Sequence, residues 1–238
     1  MEELMNEQPN VPMLSKEPSS MVQTWMMAIT KPNEQTYAEI AASPNAKAST
    51  AFLWIFIASL VQSFVTLIMQ GVIMGQMMQG TDIEVVPALA PGLASVLCGA
   101  PILAVLSVVF FAVFAGIVQW VAGLFGGQGS FDKLAYVLAA ITVPFTFVSA
   151  ILTLLSAIPF AGWCFGILSL FLVFYVIFLE ITAVKGVNRF GWGQAAGSVL
   201  LPFFALFCCI LAGIFGLASM LGPQLQDILN QINPTFTP

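Results

Sequence analysis

The sequence predicts an all-α fold: a polytopic membrane helical bundle of five transmembrane helices, with the N-terminus in the cytoplasm and the C-terminus outside. The first observation is composition, because 59% of the 238 residues are hydrophobic and 7% are charged, against about 25% charged residues in soluble proteins. The second is that charge-free runs exceed the roughly 20 residues needed to cross a bilayer. The third is that the six basic residues fall only between alternate runs.

Composition also narrows the functional classes. The chain has no histidine, which is the most common general base and metal ligand. Acidic residues outnumber basic ones by 11 to 6, so a basic patch for nucleic acid is missing. The cysteines lack CxxC spacing and are interpreted as apolar packing residues; they are Cys98, Cys164, Cys208 and Cys209. These observations predict a protein that is not an enzyme and has no cofactor, metal or nucleic-acid partner.

The first 47 residues precede any membrane span. Residues 1–24 are polar and acidic and predict a disordered tail. Residues 25–47 contain two short segments with an apolar side, separated by Lys31-Pro32. They predict two amphipathic helices, the second of which starts at Asn33. Two placements remain open with equal weight: the helices lie flat in the lipid headgroup region, or they pack on cytoplasmic loops of the same chain.

The first span is predicted at about residues 51–73, inside a run that carries no charge from Ala48 to Thr81. Gly71 and Gly75 near its end have the GxxxG spacing that lets two helices approach closely. Because such spacing is common in apolar helices, a contact with a neighbouring span of the same chain is favoured over a dimer interface.

The second span is predicted at about residues 102–125. Pro87, Pro91 and Pro101 disfavour a regular helix before that point. Residues 86–101 are therefore predicted to form an irregular or re-entrant segment on the outer face, where protein or water must shield the backbone.

Three further spans follow a glycine-rich turn at residues 125–133. Pro159 breaks the next charge-free run into two crossings, and a basic loop from Lys185 to Arg189 precedes the last span. The predicted spans cover about residues 134–157, 163–184 and 195–221. Residues 222–238 then form a short external tail, and the five-span domain as a whole covers residues 48–221.

The basic residues determine the predicted orientation. Three lysines precede the first span, Lys133 follows the second, and Lys185 and Arg189 follow the fourth. Five spans therefore place all six on one side, which the positive-inside rule makes cytoplasmic. A sixth span would divide them between the two sides. The expected location is the inner, or plasma, membrane of a prokaryotic cell, in contact with the lipid bilayer.

The order of these features resembles the bacterial form of the Ypt-interacting-protein family, whose membrane unit is the Yip-one domain. The similar features are the turn Phe125–Phe131, Pro144 in the third span, the Ile158-Pro159 hairpin and Gln194 opening the fifth span. The resemblance covers about residues 25–217 and implies an adaptor or scaffold in membranes. Rab-type small GTPases are partners of eukaryotic members, but their longer cytoplasmic region is missing here, so GTPase binding is not carried over to this chain.

The candidate functional or interface residues come from the spans and from the central turn. They are Glu180, Gly126, Gly127, Asp132, Lys133, Gly71 and Gly75. Glu180 is the only acid within a predicted span, and its position five residues before Lys185 favours a carboxylate that reaches the interface over a proton or ligand site. For Asp132-Lys133, helix capping and interface anchoring are favoured over partner binding. The glycine-rich turn lacks the preceding strand and the Lys-Ser/Thr ending of a nucleotide-binding loop.

Glutamines within the spans predict hydrogen bonds between helices, as at Gln62 and Gln119. Two function classes then remain. The first is a non-enzymatic scaffold or adaptor in homo- or hetero-oligomers, serving membrane organisation or a trafficking-like process. The second is a transporter, a channel or an accessory subunit of a larger membrane complex, with residues 86–101 as a gating element. The first is favoured, because a solute pathway needs polar side chains within the membrane and the spans contain few.

Overall fold

The computed structural model describes residues 20–78, 93–156, 158 and 161–232. Every regular element in these ranges is a helix. The helices are α1 (Met21–Thr30), α2 (Glu34–Ala41), α3 (Ala48–Met78), α4 (Leu93–Leu124), α5 (Phe131–Leu155), α6 (Ala161–Asn188) and α7 (Trp192–Ile232). Residues 1–19 of the predicted disordered tail lie outside the described residues, and the prediction is wrong for its end, where α1 begins at Met21.

The two short helices begin at side-chain caps. The Ser20 hydroxyl accepts a hydrogen bond from the Gln23 amide at 3.3 Å, and the Asn33 side chain accepts one from the Thr36 amide at 2.7 Å. Such caps satisfy amide groups that have no partner within the helix. The predicted start of a helix at Asn33 is confirmed.

Four helices contain segments long and apolar enough to cross a membrane, counted within the described part of the chain. These segments are Ala48–Gly71, Val96–Leu124, Phe131–Leu155 and Cys164–Asn188. They agree with the first four predicted spans and make the chain an integral, multi-pass membrane protein. A fifth crossing in α7 and the orientation of the termini remain predictions.

The start of α4 corrects the prediction for residues 86–101. The helix begins at Leu93 and continues through Pro101, so the part from residue 93 onward is regular helix and is not re-entrant. A long apolar helix accommodates an internal proline when neighbouring groups or local geometry satisfy the freed carbonyl. The remainder of the predicted re-entrant segment lies outside the described residues.

Two helix ends also differ from prediction. Helix α6 continues to Asn188, so most of the predicted basic loop is helical, and the helix ends where Arg189 adopts a positive φ. Helix α7 continues to Ile232 instead of ending near residue 221. Most of the predicted polar tail is therefore helical, in keeping with its content of glutamine, leucine and isoleucine.

The helices are most tightly packed at one end. Helix α3 packs against α4 and α5, α5 packs against α6, and α6 packs against α7. We call the end of the bundle next to Lys47, Lys133, Lys185 and Arg189 the basic end, and the other end the far end. Near the basic end, residues 134–141 of α5 are all buried, whereas most of α6 near the far end is exposed. The core thus lies close to the basic end.

Helices α1 and α2 pack on the bundle itself. Helix α1 contacts α5, and α2 contacts α6 and α5. The ring of Trp25 meets that of Trp54 in α3 edge-on at 5.6 Å, and the Tyr37 hydroxyl donates to the Ala28 carbonyl at 2.8 Å. Of the two open placements, the structure shows packing on the same chain, against helices rather than loops.

Candidate functional site at the basic end

Asn188, the last residue of α6, joins three parts of the chain. Its side chain is buried, and its Oδ1 accepts hydrogen bonds from the Gly129 amide at 3.0 Å and from Gln119 Nε2 in α4 at 3.2 Å. Its Nδ2 donates to the Val184 carbonyl at 3.2 Å. A buried amide with its bonding groups satisfied favours one arrangement of the elements it connects. The central turn is therefore held against α4 and α6.

The glycines of the central turn permit this contact. A Cβ on Gly127 would stand 2.6 Å from Asn188 Oδ1, and one on Gly129 would stand 2.7 Å from the same atom. Gly126 adopts a φ of 84°, a conformation that residues with side chains rarely take. The candidates Gly126 and Gly127 thus lie at a close backbone approach.

The connection between α6 and α7 also contacts the central turn. Gln194 Nε2 donates to the Phe125 carbonyl at 3.2 Å, and Gln194 Oε1 accepts from the Gly191 amide at 3.0 Å. The ends of α4 and α6 and the start of α7 are thereby joined by polar contacts at the basic end.

Helix α2 docks on α6 through a glycine and an ion pair. A Cβ on Gly186 would stand 2.5 Å from the Glu34 carbonyl oxygen, so the two backbones meet without space for a side chain. Lys185 Nζ lies 2.6 Å from the Glu34 carboxylate and 4.6 Å from the ring centre of Trp192. Lys185 therefore connects α2 to the start of α7.

Asp132 caps a helix other than its own. Its Oδ1 accepts a hydrogen bond from the Ala48 amide, the first residue of α3, at 3.0 Å. Capping was predicted for this carboxylate, but at the start of α5. There the flanking Ser130 makes no side-chain cap hydrogen bond. The carboxylate stabilises the positive end of the α3 dipole instead.

A cavity of about 170 Å³ opens between α2, the central turn and the end of α6. Lys133 and Arg189 are exposed at this cavity, and small residues of α2 form its wall. The structure thus brings Lys133 and Arg189 to one cavity, a proximity that their spacing in the sequence does not reveal.

Glu180 lies deeper in the bundle, about 8 Å along α6 from Lys185 at 1.5 Å per residue. Its side chain is 7% exposed, and its Oε2 has no hydrogen-bond partner among the described residues. The carboxylate borders a cavity of about 230 Å³ that Ser149, Ser169 and Phe203 also line. Neighbouring helices enclose this part of α6, and the position of the carboxylate at the membrane interface stays a prediction.

The remaining predicted residues are not brought into the site. Gly71 and Gly75 lie in α3; the surroundings of Gly75 are outside the described side chains, and the predicted helix contact stays a prediction. The cysteines at positions 98, 164 and 208 are free and exposed, so the interpretation of these three as apolar packing residues is wrong within this chain. They lie where the helices are less tightly packed.

Sequence reasoning found part of the hydrogen-bonding network. The predicted link through Gln119 is confirmed, since it connects α4 to Asn188 and also donates to the Gly129 carbonyl at 2.7 Å. The corresponding prediction for Gln62 is wrong, because its amide donates to Thr66 in the same helix. Asn188 was missed, although an amide among apolar residues of a helix end is the signal that could have found it.

Tyr37 marks how closely α2 is packed. Its side chain is fully buried, and burial raises the pKa of its phenol above the usual value, with a smaller contribution from Tyr175. Tyr175 in α6 donates to the Ile29 carbonyl at 3.1 Å, so it connects the other short helix to the bundle.

Comparison with known proteins gave one match. A family model described as the Yip1 domain matches residues 27–214, which is most of the chain and includes the residues of the candidate site. No curated protein and no solved structure matches the chain.

Proposed function

Since the chain belongs to the Yip1 domain family, we propose that it is a non-enzymatic membrane scaffold or adaptor whose basic end faces the cytoplasm. The observation that carries this proposal is the contrast between a packed apolar interior and a connected polar end. One continuous core joins α1 to α7 near the basic end. A rigid surface at the basic end suits the binding of other membrane proteins in oligomers. We call this surface the platform.

The polar contacts at the basic end support a surface of fixed shape. Asn188, Gln194 and Lys185 each join elements that are distant in the sequence. A preorganised surface loses little conformational freedom on binding a partner. Exposed polar residues of α2, such as Gln35, lie beside this platform and are available for contact.

Photo-crosslinking in cells tests the proposal. A photoreactive residue is placed at Gln35, and a matched one at Phe171, an exposed position near the far end. After purification in mild detergent, Gln35 is expected to yield discrete protein adducts, including a second copy of the chain or another membrane protein. Equal adduct patterns at the two positions, or none at Gln35, would contradict the adaptor.

Membrane topology is tested separately. Five spans with a cytoplasmic basic end place Pro238 outside the cell. A tag after Pro238 is expected to be labelled by an impermeant reagent in intact cells, and a tag before Met1 only after permeabilisation. Labelling of the C-terminal tag only after permeabilisation would overturn both the number of five spans and the external position of the C-terminus.

The second candidate function is transport, and Glu180 is the specific observation that favours it. A buried carboxylate beside a cavity within the spans is costly and often belongs to an ion or proton pathway. Proteoliposomes with the native chain, Glu180→Gln and the exposed control Glu34→Gln are compared for proton and cation flux. Flux lost only in Glu180→Gln would favour transport, and the scaffold predicts no flux in any of them.

A further inference from the structure

The basic end contains a cavity whose chemistry none of the contacts above explains. Its described lining combines the cations Lys133 and Arg189 with Gln128, Gly129 and small residues of α2 and α6, and it contains no acidic side chain. The volume of about 170 Å³ is well above the roughly 15 Å³ that admits one water molecule. A polar cavity with two cations and no acid is suited to an anion.

Two acidic groups close to the cavity in the sequence or in the adjoining groove are engaged elsewhere. Glu34 is paired with Lys185 in the adjoining groove. The Asp132 carboxylate accepts the Ala48 amide at the start of α3. Both carboxylates therefore already have partners, which leaves the cations of the cavity available to an incoming anion.

The backbone of Arg189 gives a second, independent observation. Arg189 has a φ of 57° and ends α6, and it is the one residue other than glycine with a positive φ in the described chain. Glycine is usual at such a helix end because a side chain is disfavoured in this conformation. Here the position is held by an exposed arginine that lines the cavity.

The start of α5 contributes one cation, Lys133, to the cavity lining. Lys133 lies in the first turn of α5, where the flanking Ser130 provides no side-chain cap. Amide groups in the first turn of a helix favour anions, and phosphate groups in particular. Helix α6 ends at the same cavity, and Lys185 in its last turn offsets the negative end of that dipole.

We propose that this cavity binds a phosphate group, with Arg189 as the bidentate ligand and Lys133 as the second cation. A guanidinium group matches two phosphate oxygens at once, and an ammonium group adds a point charge. The phosphate comes either from an anionic lipid headgroup or from a soluble phosphate compound. Cationic pockets between helices at the cytoplasmic side of a membrane have the chemistry to hold lipid headgroups.

The experiment uses the full chain in mild detergent and separates the two sources. For the lipid, phosphatidic acid and phosphatidylcholine are titrated and bound lipid is counted by native mass spectrometry. For the soluble source, inorganic phosphate is compared with chloride at equal ionic strength by thermal unfolding. Preferential binding of phosphatidic acid indicates a headgroup site, and a phosphate-specific rise in melting temperature without lipid preference indicates a soluble ligand.

Three variants locate the site. Arg189→Gly and Lys133→Gln are each expected to weaken binding about tenfold, the usual effect of losing one charge-assisted contact. The probe is phosphatidic acid or inorganic phosphate, whichever binds to the native chain. Lys31→Gln removes an exposed cation outside the cavity and is expected to change binding less than about twofold. Arg189→Gly is also expected to melt at the same or a slightly higher temperature, because glycine accepts the positive φ.

Several outcomes would overturn the proposal. The first is that the native chain prefers neither phosphatidic acid to phosphatidylcholine nor phosphate to chloride. The second is that Lys31→Gln weakens binding as much as the cavity variants. If Arg189→Gly melts at a lower temperature, Arg189 supports the fold, and Lys133→Gln, which leaves the backbone of α6 unchanged, decides the matter: unchanged binding in that variant rejects the phosphate site.

Discussion

The two ends of the same helices are held together in different ways. At the basic end, buried side chains form one core, and Asn188, Gln194 and Asp132 join separate elements by hydrogen bonds. Near the far end, large apolar side chains of α6 such as Phe171 and Phe174 are 68% and 63% exposed. In a membrane those residues face lipid. The comparison teaches that the basic end determines the fold, whereas the far end is suited to contact with its surroundings.

The largest expected effect separates the two ends directly. Leu138 is buried at the basic end, with 1% of its side chain exposed, and Leu138→Ala leaves a cavity that lowers the free energy of unfolding by about 3 kcal/mol. Phe171→Ala removes a larger but exposed side chain and is expected to cost less than about 0.5 kcal/mol. Equilibrium unfolding in one detergent measures both, and equal losses would refute the contrast between the ends.

The next effect tests the docking of α2. Gly186→Ala places a Cβ against the Glu34 carbonyl and the Tyr37 side chain, and this overpacking is expected to destabilise the chain by about 2 kcal/mol. Gly193→Ala is the matched control, because a Cβ there meets nothing within 4 Å and alanine favours the helix by about 0.5 kcal/mol. If both variants unfold like the native chain, α2 is not held by close backbone contact.

A smaller effect follows from Tyr37→Phe. The variant leaves the buried Ala28 carbonyl without its donor, which costs about 1 kcal/mol, whereas Tyr175→Phe removes a bond from an exposed hydroxyl and costs less. Burial raises the pKa of Tyr37 above its ordinary 10.0, so the native fold requires the neutral phenol. The stabilisation is complete below pH 10 and is lost as pH rises further. Unfolding followed from pH 8 to 11 is therefore expected to show a weaker loss in Tyr37→Phe; the same loss in both chains would contradict this.

The smallest effect concerns the ion pair between Glu34 and Lys185. Glu34 is 53% exposed, so solvent screens the pair, and Glu34→Gln is expected to cost about 0.3 kcal/mol. The difference is expected to disappear in molar salt, where the screening length is about 3 Å. A cost that persists at high salt would mean that hydrogen bonding, rather than charge, holds α2 at this point.

The sequence predicts the helices better than their contacts. Charge-free runs gave the first four spans because the bilayer requires a minimum apolar length, and Asn33 was identified as the start of α2. The start of α4 was missed because proline is a weaker helix breaker within a long apolar helix than in water. The end of α6 was misplaced because its basic residues were interpreted as a loop.

The site was harder to predict because its contacts are not local. Asp132 was expected to cap its own helix, and nothing in the spacing of the chain indicates that it caps α3. The Gly186 contact depends on a helix that begins more than 150 residues earlier. The position of Glu180 was judged from its distance to Lys185, which does not show that other helices enclose it.

The cap from Asp132 to Ala48 sets an order for biosynthesis. The donor leaves the ribosome 84 residues before its acceptor, which takes roughly 4 to 17 s at 5 to 20 residues per second. During that interval α3 and the newly made α4 lack this bond. The bond that joins the starts of α3 and α5 forms only after the beginning of α5 has been made. The Ala48 amide at the start of α3 therefore receives its acceptor from a helix that is synthesised later.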